Sequence, residues 1–194
     1  MILGILSDTH GETRRTADAL RLLRQVGAEA LVHCGDVGGA EILDQLAGWR
    51  AWIQWGNTDP ADDTLVAHAE SLGLSVAREA PLRLDLAGHH FAVFHGHEPA
   101  FLRLLGRKPA GGAGRAGLEG CDYVLCGHQH VASDARVGRW RVINPGALHR
   151  AEVYTVATLD LSADDLKFWQ VFDDAPNTPP TRFYPNADPS GLPP

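Results

Sequence analysis

Five short motifs carry the side chains that could do chemistry: Ser7-Asp8-Thr9-His10, Gly35-Asp36, Gly56-Asn57-Thr58-Asp59, His95-Gly96-His97 and Gly127-His128-Gln129-His130. Each is set where an apolar run gives way to a loop, and several follow a glycine, which lets a backbone turn sharply and approach a ligand. Two carboxylates (Asp8, Asp36), one amide (Asn57) and four imidazoles (His10, His95, His128, His130) make a mixed oxygen and nitrogen donor set without thiolate. Such a set suits manganese, iron, zinc, cobalt or nickel better than a structural zinc cage. Seven donors are too many for one ion and fit two if one carboxylate bridges them. Ions roughly 3.5–4 Å apart can activate a bridging water and clamp a phosphoryl oxygen during in-line displacement. No serine or cysteine nucleophile is then needed, and the chain has no Gly-x-Ser-x-Gly segment.

These groups need elements that bring them together. Ile2-Leu6, Ala30-Cys34 and Trp52-Trp55 read as buried strands ending at Asp8, Asp36 and Asn57. The intervening stretches, Glu12 to Val26, Ala40 to Leu46 and Pro60 to Leu72, read as helices, with Gly27 as a stop and Pro60 in a first turn. This β-α-β-α-β-α run predicts a parallel sheet with helices packed on it. The middle changes character. Leu82-Leu86 and His90-Phe94 read as a hairpin about Ala87-Gly88-His89, delivering His95, and Glu98 to Leu105 as a helix. Tyr123-Cys126 reads as a strand delivering His128 and His130. Hairpins are expected about Gly138 and between Glu152-Leu161 and Leu166-Phe172. In open α/β sheets, loops at the carboxyl ends of strands form the ligand crevice, so distant residues can converge there.

The composition suits a soluble globular domain: 194 residues, 44% hydrophobic and 21% charged. A net charge of -7 argues against a broad basic face for nucleic acid. It leaves room for a phosphate substrate, because bound dications invert the local field. Cys34, Cys121 and Cys126 form no CxxC pair and read as reduced, buried residues of a cytoplasmic protein. The apolar run from Met1 to Leu6 is too short for a signal peptide or membrane span. Residues 1–172 are expected to form one domain, with a Pro-rich tail over 173–194 lying loosely on its surface. Gly106 to Arg115 is a basic, glycine-rich loop, read either as a phosphate-binding arm or as a solvated connector.

The ordered set of motifs resembles the calcineurin-like metallophosphoesterases, in particular the small bacterial and archaeal phosphodiesterases without a large cap. Their pattern of Asp-x-His, Gly-Asp, Gly-Asn, His and Gly-His-x-His is met in kind and order over residues 8–130, and Asn144-Pro145-Gly146 resembles a segment that often follows. The resemblance implies an α/β fold, a four-layer α-β-β-α sandwich of two mixed sheets flanked by helices. It implies two divalent metal ions, manganese foremost. Asp8, His10, Asp36 and His130 would hold the first, and Asn57, His95 and His128 the second, with Asp36 bridging. The expected activity is phosphodiester hydrolysis by a metal-bridging hydroxide on a small phosphorylated substrate. Phosphomonoesterase or protein phosphatase activity is the alternative within the enzymes, and a non-catalytic scaffold the alternative outside them. Thr58 stands where many members have a histidine, which leaves the general acid unassigned, and Ala147 stands where a serine is usual.

Some residues keep two readings. Asp59 reads as a helix cap ahead of Pro60 or as a group that orients a ligand. His97 reads as a group that orients a ligand or touches substrate, or as a polar loop residue. Asp59 and His97 are the candidates for catalytic residues beside the metal set. His33, His68, His89 and His90 read as structural or surface histidines. His149 reads the same way, or as a substrate contact from a loop near the site. Trp49, Trp52 and Trp55 read as packing residues.

Overall fold

A computed structural model of the chain describes residues 1–106, 118–173 and 178–185. Two mixed sheets lie face to face. The first contains β1 (Ile2–Leu6), β2 (Ala30–His33), β3 (Ala51–Ile53), β4 (Ser75–Val76), β10 (Thr155–Asp160), β11 (Asp165–Gln170) and β12 (Thr181–Phe183), in the order β12-β11-β10-β1-β2-β3-β4. The second contains β5 (Leu82–Leu86), β6 (His89–Val93), β7 (Tyr123–Leu125), β8 (Ala132–Val137) and β9 (Trp140–Pro145), in the order β5-β6-β7-β9-β8. Strands β1 to β4 run parallel, as do β6, β7 and β9, and β5, β8, β10, β11 and β12 add antiparallel pairings.

The period-two alternation of each strand sends one row of side chains to each face. From β1, Leu3 and Ile5 enter the core between the sheets with Val32, Phe91, Val93, Leu125 and Ile143. Leu6, on the other face, packs with Leu31 against α1 (Thr13–Gln25), α2 (Ala40–Leu46) and α3 (Asp63–Ser71). Ala92, Val124 and Val142 pack outward against Phe101 of α4 (Pro99–Leu104). The result is the expected four layers, helix, sheet, sheet and helix. Trp49 and Trp55 lie in the core under the first sheet, and all three cysteines are buried and free. No helix is long and apolar enough to cross a membrane.

One expectation is corrected and two short edge strands are added. Helix α3 starts at Asp63, not at Pro60, because Asp62 takes the cap and accepts the Leu65 N–H at 2.9 Å. Strand β4, only two residues long, was too short to leave a periodic signal. Within the Pro-rich tail, Thr181–Phe183, a proline-free interval, pairs with β11 as an edge strand. Residues 107–115 of the basic loop lie outside the described residues.

Candidate metal centre

The ends of β1, β2, β3, β6 and β7 deliver the five motifs to one edge of the sandwich. There the loops are tied to each other rather than to solvent. Asp8 N–H donates to Gly35 O (2.9 Å), His10 N–H to Asp36 O (2.9 Å) and Gly11 N–H to Val37 O (3.1 Å). His128 N–H donates to Asp8 Oδ2 at 3.0 Å, and Gly127 N–H to His95 O at 2.7 Å. Asn144 Nδ2 donates to Gly127 O at 2.9 Å, which fixes the Gly-His-x-His turn from β9. Five candidate ligands, Asp8, His10, Asp36, His128 and His130, have left-handed backbones with φ between 44 and 69. Side chains other than glycine's resist that conformation, so its concentration here reflects packing that over-determines the loops.

The side chains converge. Asp8, His10 and His130 place one ligand atom each within 4.8 Å of one another, and so do Asp8, Asp36 and His95. Asp36 Oδ2 lies 3.3 Å from His10 Nε2 and 3.3 Å from His95 Nε2, between the two groups. His130 Nε2 is 3.2 Å from Asp8 Oδ1, and His128 Nδ1 is 3.2 Å from His95 Nε2. Asp8 and His95 are fully buried and Asp36 nearly so.

The far nitrogens of two rings are already engaged. His95 Nδ1 donates to Cys34 O at 2.9 Å and His130 Nδ1 faces Arg150 O at 3.3 Å, leaving each Nε2 turned inward. His10 Nε2 is shielded from solvent and, although Asp36 Oδ2 lies 3.3 Å away, makes no aligned hydrogen bond among the described residues. A buried polar atom of this kind is costly unless something binds it. Burial pushes the Asp36 carboxyl up, but the His95 ring and the Thr58 N–H outweigh it and hold the group well below the usual carboxylate range. The same attraction raises His95 against its burial, and the Asp8 carboxylate raises His130. Burial lowers His10 and His128. The carboxylates thus favour positive charge at the inward nitrogens of His95 and His130, where a bound cation would serve the same role. Two carboxylates and four inward imidazoles suit divalent ions that accept mixed oxygen and nitrogen ligation.

A family model described as the calcineurin-like phosphoesterase superfamily domain matches residues 1–164. The chain belongs to the calcineurin-like phosphoesterase superfamily. A phosphodiesterase of Methanocaldococcus jannaschii is 26% identical over 148 residues, covering 75% of this chain and 83% of that protein. The structure of an archaeal phosphodiesterase matches with a TM-score of 0.74 at 20% identity, over 88% of this chain and all of that one. Vps29 from Entamoeba histolytica, in a structure complexed with zinc, matches with a TM-score of 0.55 at 14% identity, over 94% of this chain and 98% of that chain. The two structural likenesses establish the shared fold.

Within this phosphoesterase domain, six of the seven expected ligands meet in the distances above. Asn57 is exposed, on a loop pressed against Asp36: Thr58 N–H donates to Asp36 Oδ1 at 3.0 Å. His97 sits at the rim, its ring 5.5 Å from that of His95 and 6.1 Å from that of His128. Asp59 does not cap α3. Its carboxylate accepts three backbone N–H groups, from Val37 (3.1 Å), Gly38 (3.0 Å) and Gly56 (2.8 Å), and so clamps the Asp36 loop to the Asn57 loop.

The sequence reading missed two supports. Glu98 accepts the N–H groups of His95 and Gly96, each at 2.7 Å, and holds the His95 turn. Its only signal was an acid ahead of Pro99, which reads as a helix boundary. The buried His33 ring accepts the Gly35 N–H at Nδ1 (3.2 Å), so Nε2 carries the hydrogen and donates to Thr9 Oγ1 (2.9 Å). Thr9 in turn donates to Val37 O at 2.8 Å, which closes a chain between the Asp8 and Asp36 loops.

Proposed function

We propose that this chain is a phosphodiesterase working with two divalent cations, held by Asp8, His10, Asp36, Asn57, His95, His128 and His130. The observation that carries the reading is the single oxygen of Asp36 lying 3.3 Å from inward ring nitrogens of both His10 and His95. A carboxylate so placed, with Asp8 common to both neighbouring triads, suits a pair of adjacent ions. When bound, the cations supply an activated water as nucleophile and a counter-charge for the phosphoryl oxygens. The chain's own part is positional and electrostatic. Asp36 stays ionised, the tied loops hold the donors without reorganisation, and His95 is fixed by Cys34 and Glu98.

The substrate proposed is a small phosphorylated molecule, and the metal first proposed is manganese. The related archaeal phosphodiesterase, and the absence of a histidine at Thr58, favour a diester over a monoester. Three buried free cysteines fit a cytoplasmic setting. The test is hydrolysis of an aryl phosphodiester and of the matching monoester by purified protein supplied with manganese. Faster diester turnover, lost on chelation and restored by metal, is expected. Protein that binds metal yet cleaves neither ester would sink the catalytic reading and leave a scaffold.

A further inference from the structure

The loop from Ala147 to Arg150 is pinned on every side. Leu148 N–H donates to Asp8 O (3.2 Å), and Thr155 N–H to Ala147 O (3.3 Å). Leu148 O accepts from Arg15 Nη1 at 2.5 Å, and Arg150 O faces His130 Nδ1 at 3.3 Å. Arg15 is itself gripped by both oxygens of Asp173 (2.7 and 2.9 Å) and lies 3.6 Å over the Tyr154 ring. His149 projects from this anchored loop. Its ring centroid is 4.8 Å from that of His10, and its Nδ1 is 2.9 Å from Glu12 Oε1. An ionised carboxylate only accepts, so Nδ1 carries the hydrogen shared with Glu12. Nε2 has no hydrogen-bond partner among the described residues, and the side chain keeps 25% of its surface open.

A ring that merely packed on His10 would not need its Nδ1 edge fixed by a carboxylate. His149 belongs to neither cluster of mutually close donor atoms, so the centre does not need it as a ligand. The arrangement leaves an unpaired ring nitrogen on a partly exposed side chain beside the His10 ring. We propose that His149 is a further substrate-contacting residue, its Nε2 hydrogen-bonded to an oxygen of the phosphate ester. Glu12 is the positioning residue that turns it there. This inference rests on the phosphodiesterase reading and adds a residue to it.

Zinc-loaded protein titrated with inorganic phosphate provides the first arm, read by long-range ¹H–¹⁵N NMR of the histidine rings. Phosphate is expected to shift the Nε2 resonance of His149. In the second arm, His149→Ala raises KM for an aryl phosphodiester and weakens phosphate binding, each about tenfold, the size of one hydrogen bond to a charged group. Metal content stays at the wild-type value. His149→Gln, which keeps a polar atom at similar reach, recovers part of the loss. Glu12→Ala loses less than His149→Ala, and the double variant loses no more than His149→Ala alone. Unchanged KM and phosphate affinity in His149→Ala would overturn the proposal. So would a loss of metal that accounts for the whole defect, since the ring would then only support His10. Should wild-type protein cleave no ester, the functional reading fails separately. The phosphate titration still decides His149: a shifted Nε2 resonance supports it and an unmoved one overturns it.

Discussion

Ala87, in the turn between β5 and β6, and His10, at the candidate metal centre, have nearly the same left-handed backbone, with φ of 50 and 44. Their surroundings differ. Ala87 and Gly88 form a two-residue turn closed by the Leu86–His89 pair, both are exposed, and a Cβ added at Gly88 would meet nothing within 4 Å. At the centre, His10 is tied to Asp36, and Asp36 to Thr58. A Cβ added at Gly56 would lie 2.1 Å from Asp36 Oδ1 and 2.3 Å from its backbone nitrogen. The hairpin tolerates a left-handed residue because a short turn demands it and water fills the space. The centre imposes one at five candidate ligands because hydrogen bonds from other loops leave no alternative. In one region the strain is incidental to closing a turn, and in the other it aims the candidate ligands.

If that contrast is correct, removing what the strain aims should cost most. Asp36→Ala takes away the carboxylate shared by His10 and His95 and is expected to lower turnover at least about a hundredfold. Metal analysis should show bound ions lost while circular dichroism stays near wild type. Retained activity would break the comparison at its centre. The two glycines sharpen it. Gly56→Ala drives a methyl into the Asp36 loop and is expected to cost about 2–3 kcal/mol of stability, with metal binding lost alongside. Gly88→Ala, with φ of 84 in open space, should cost only about 1 kcal/mol and leave turnover intact. Equal losses in urea melts of the two variants would erase the distinction.

The carboxylates that hold the loops come next. Asp59→Asn loses acceptor capacity for the Val37, Gly38 and Gly56 amides, and Glu98→Gln for His95 and Gly96. Each is expected to weaken metal affinity about 10- to 100-fold, as groups behind a ligand typically do. Titration with zinc measures this directly. Wild-type affinity in Asp59→Asn would show that the clamp between the two loops is dispensable.

These supports also mark where the sequence stopped being legible. The buried strands and the ordered ligand motifs could be read because apolar runs end abruptly at Gly-Asp, Gly-Asn and Gly-His, and α2 falls on the residues its spacing predicts. Asp59 was ambiguous because an acid before Pro60 serves a helix cap or a distant amide equally well. The choice was made three residues later, where Asp62 captured Leu65 N–H. Glu98 and Thr9 bond to backbone groups that only the folded chain brings near. His33 looked like an ordinary core histidine because nothing in a linear pattern reveals which nitrogen is engaged. Strands β4 and β12 were too short for periodicity and exist because a longer neighbour offers them an edge.

His33 gives a pH-dependent test. Burial lowers its pKa from the usual 6.5 to about 4. The unfolded chain therefore takes up a proton near pH 6.5 and the folded chain only near 4. Between those values the unfolded state binds more protons, so stability is present above about 6.5 and drains as the pH falls. The slope from one proton is at most about 1.4 kcal/mol per pH unit. His33→Gln lacks this dependence, so the stability gap between wild type and variant in metal-free protein should narrow from pH 7 to pH 4. A constant gap would mean that the ring does not stay neutral between the two loops.

The smallest effect belongs to the hairpin. A two-residue turn with positive φ at both positions is the type that Asn-Gly fills best, because asparagine adopts the left-handed conformation more readily than alanine. Ala87→Asn should therefore stabilise the chain by about 0.5–1 kcal/mol, read as a raised urea midpoint with unchanged slope. Turnover and metal content should not move, because the turn closes β5 to β6 at the end opposite His95. Relief of the same strain at the centre, by His10→Gly, frees the backbone equally but discards a ligand. Stability can then hold or rise while metal affinity falls. The two substitutions relax one backbone conformation in two places. If Ala87→Asn changed activity, or His10→Gly left metal binding intact, the strain at the centre would have no more purpose than that of the turn.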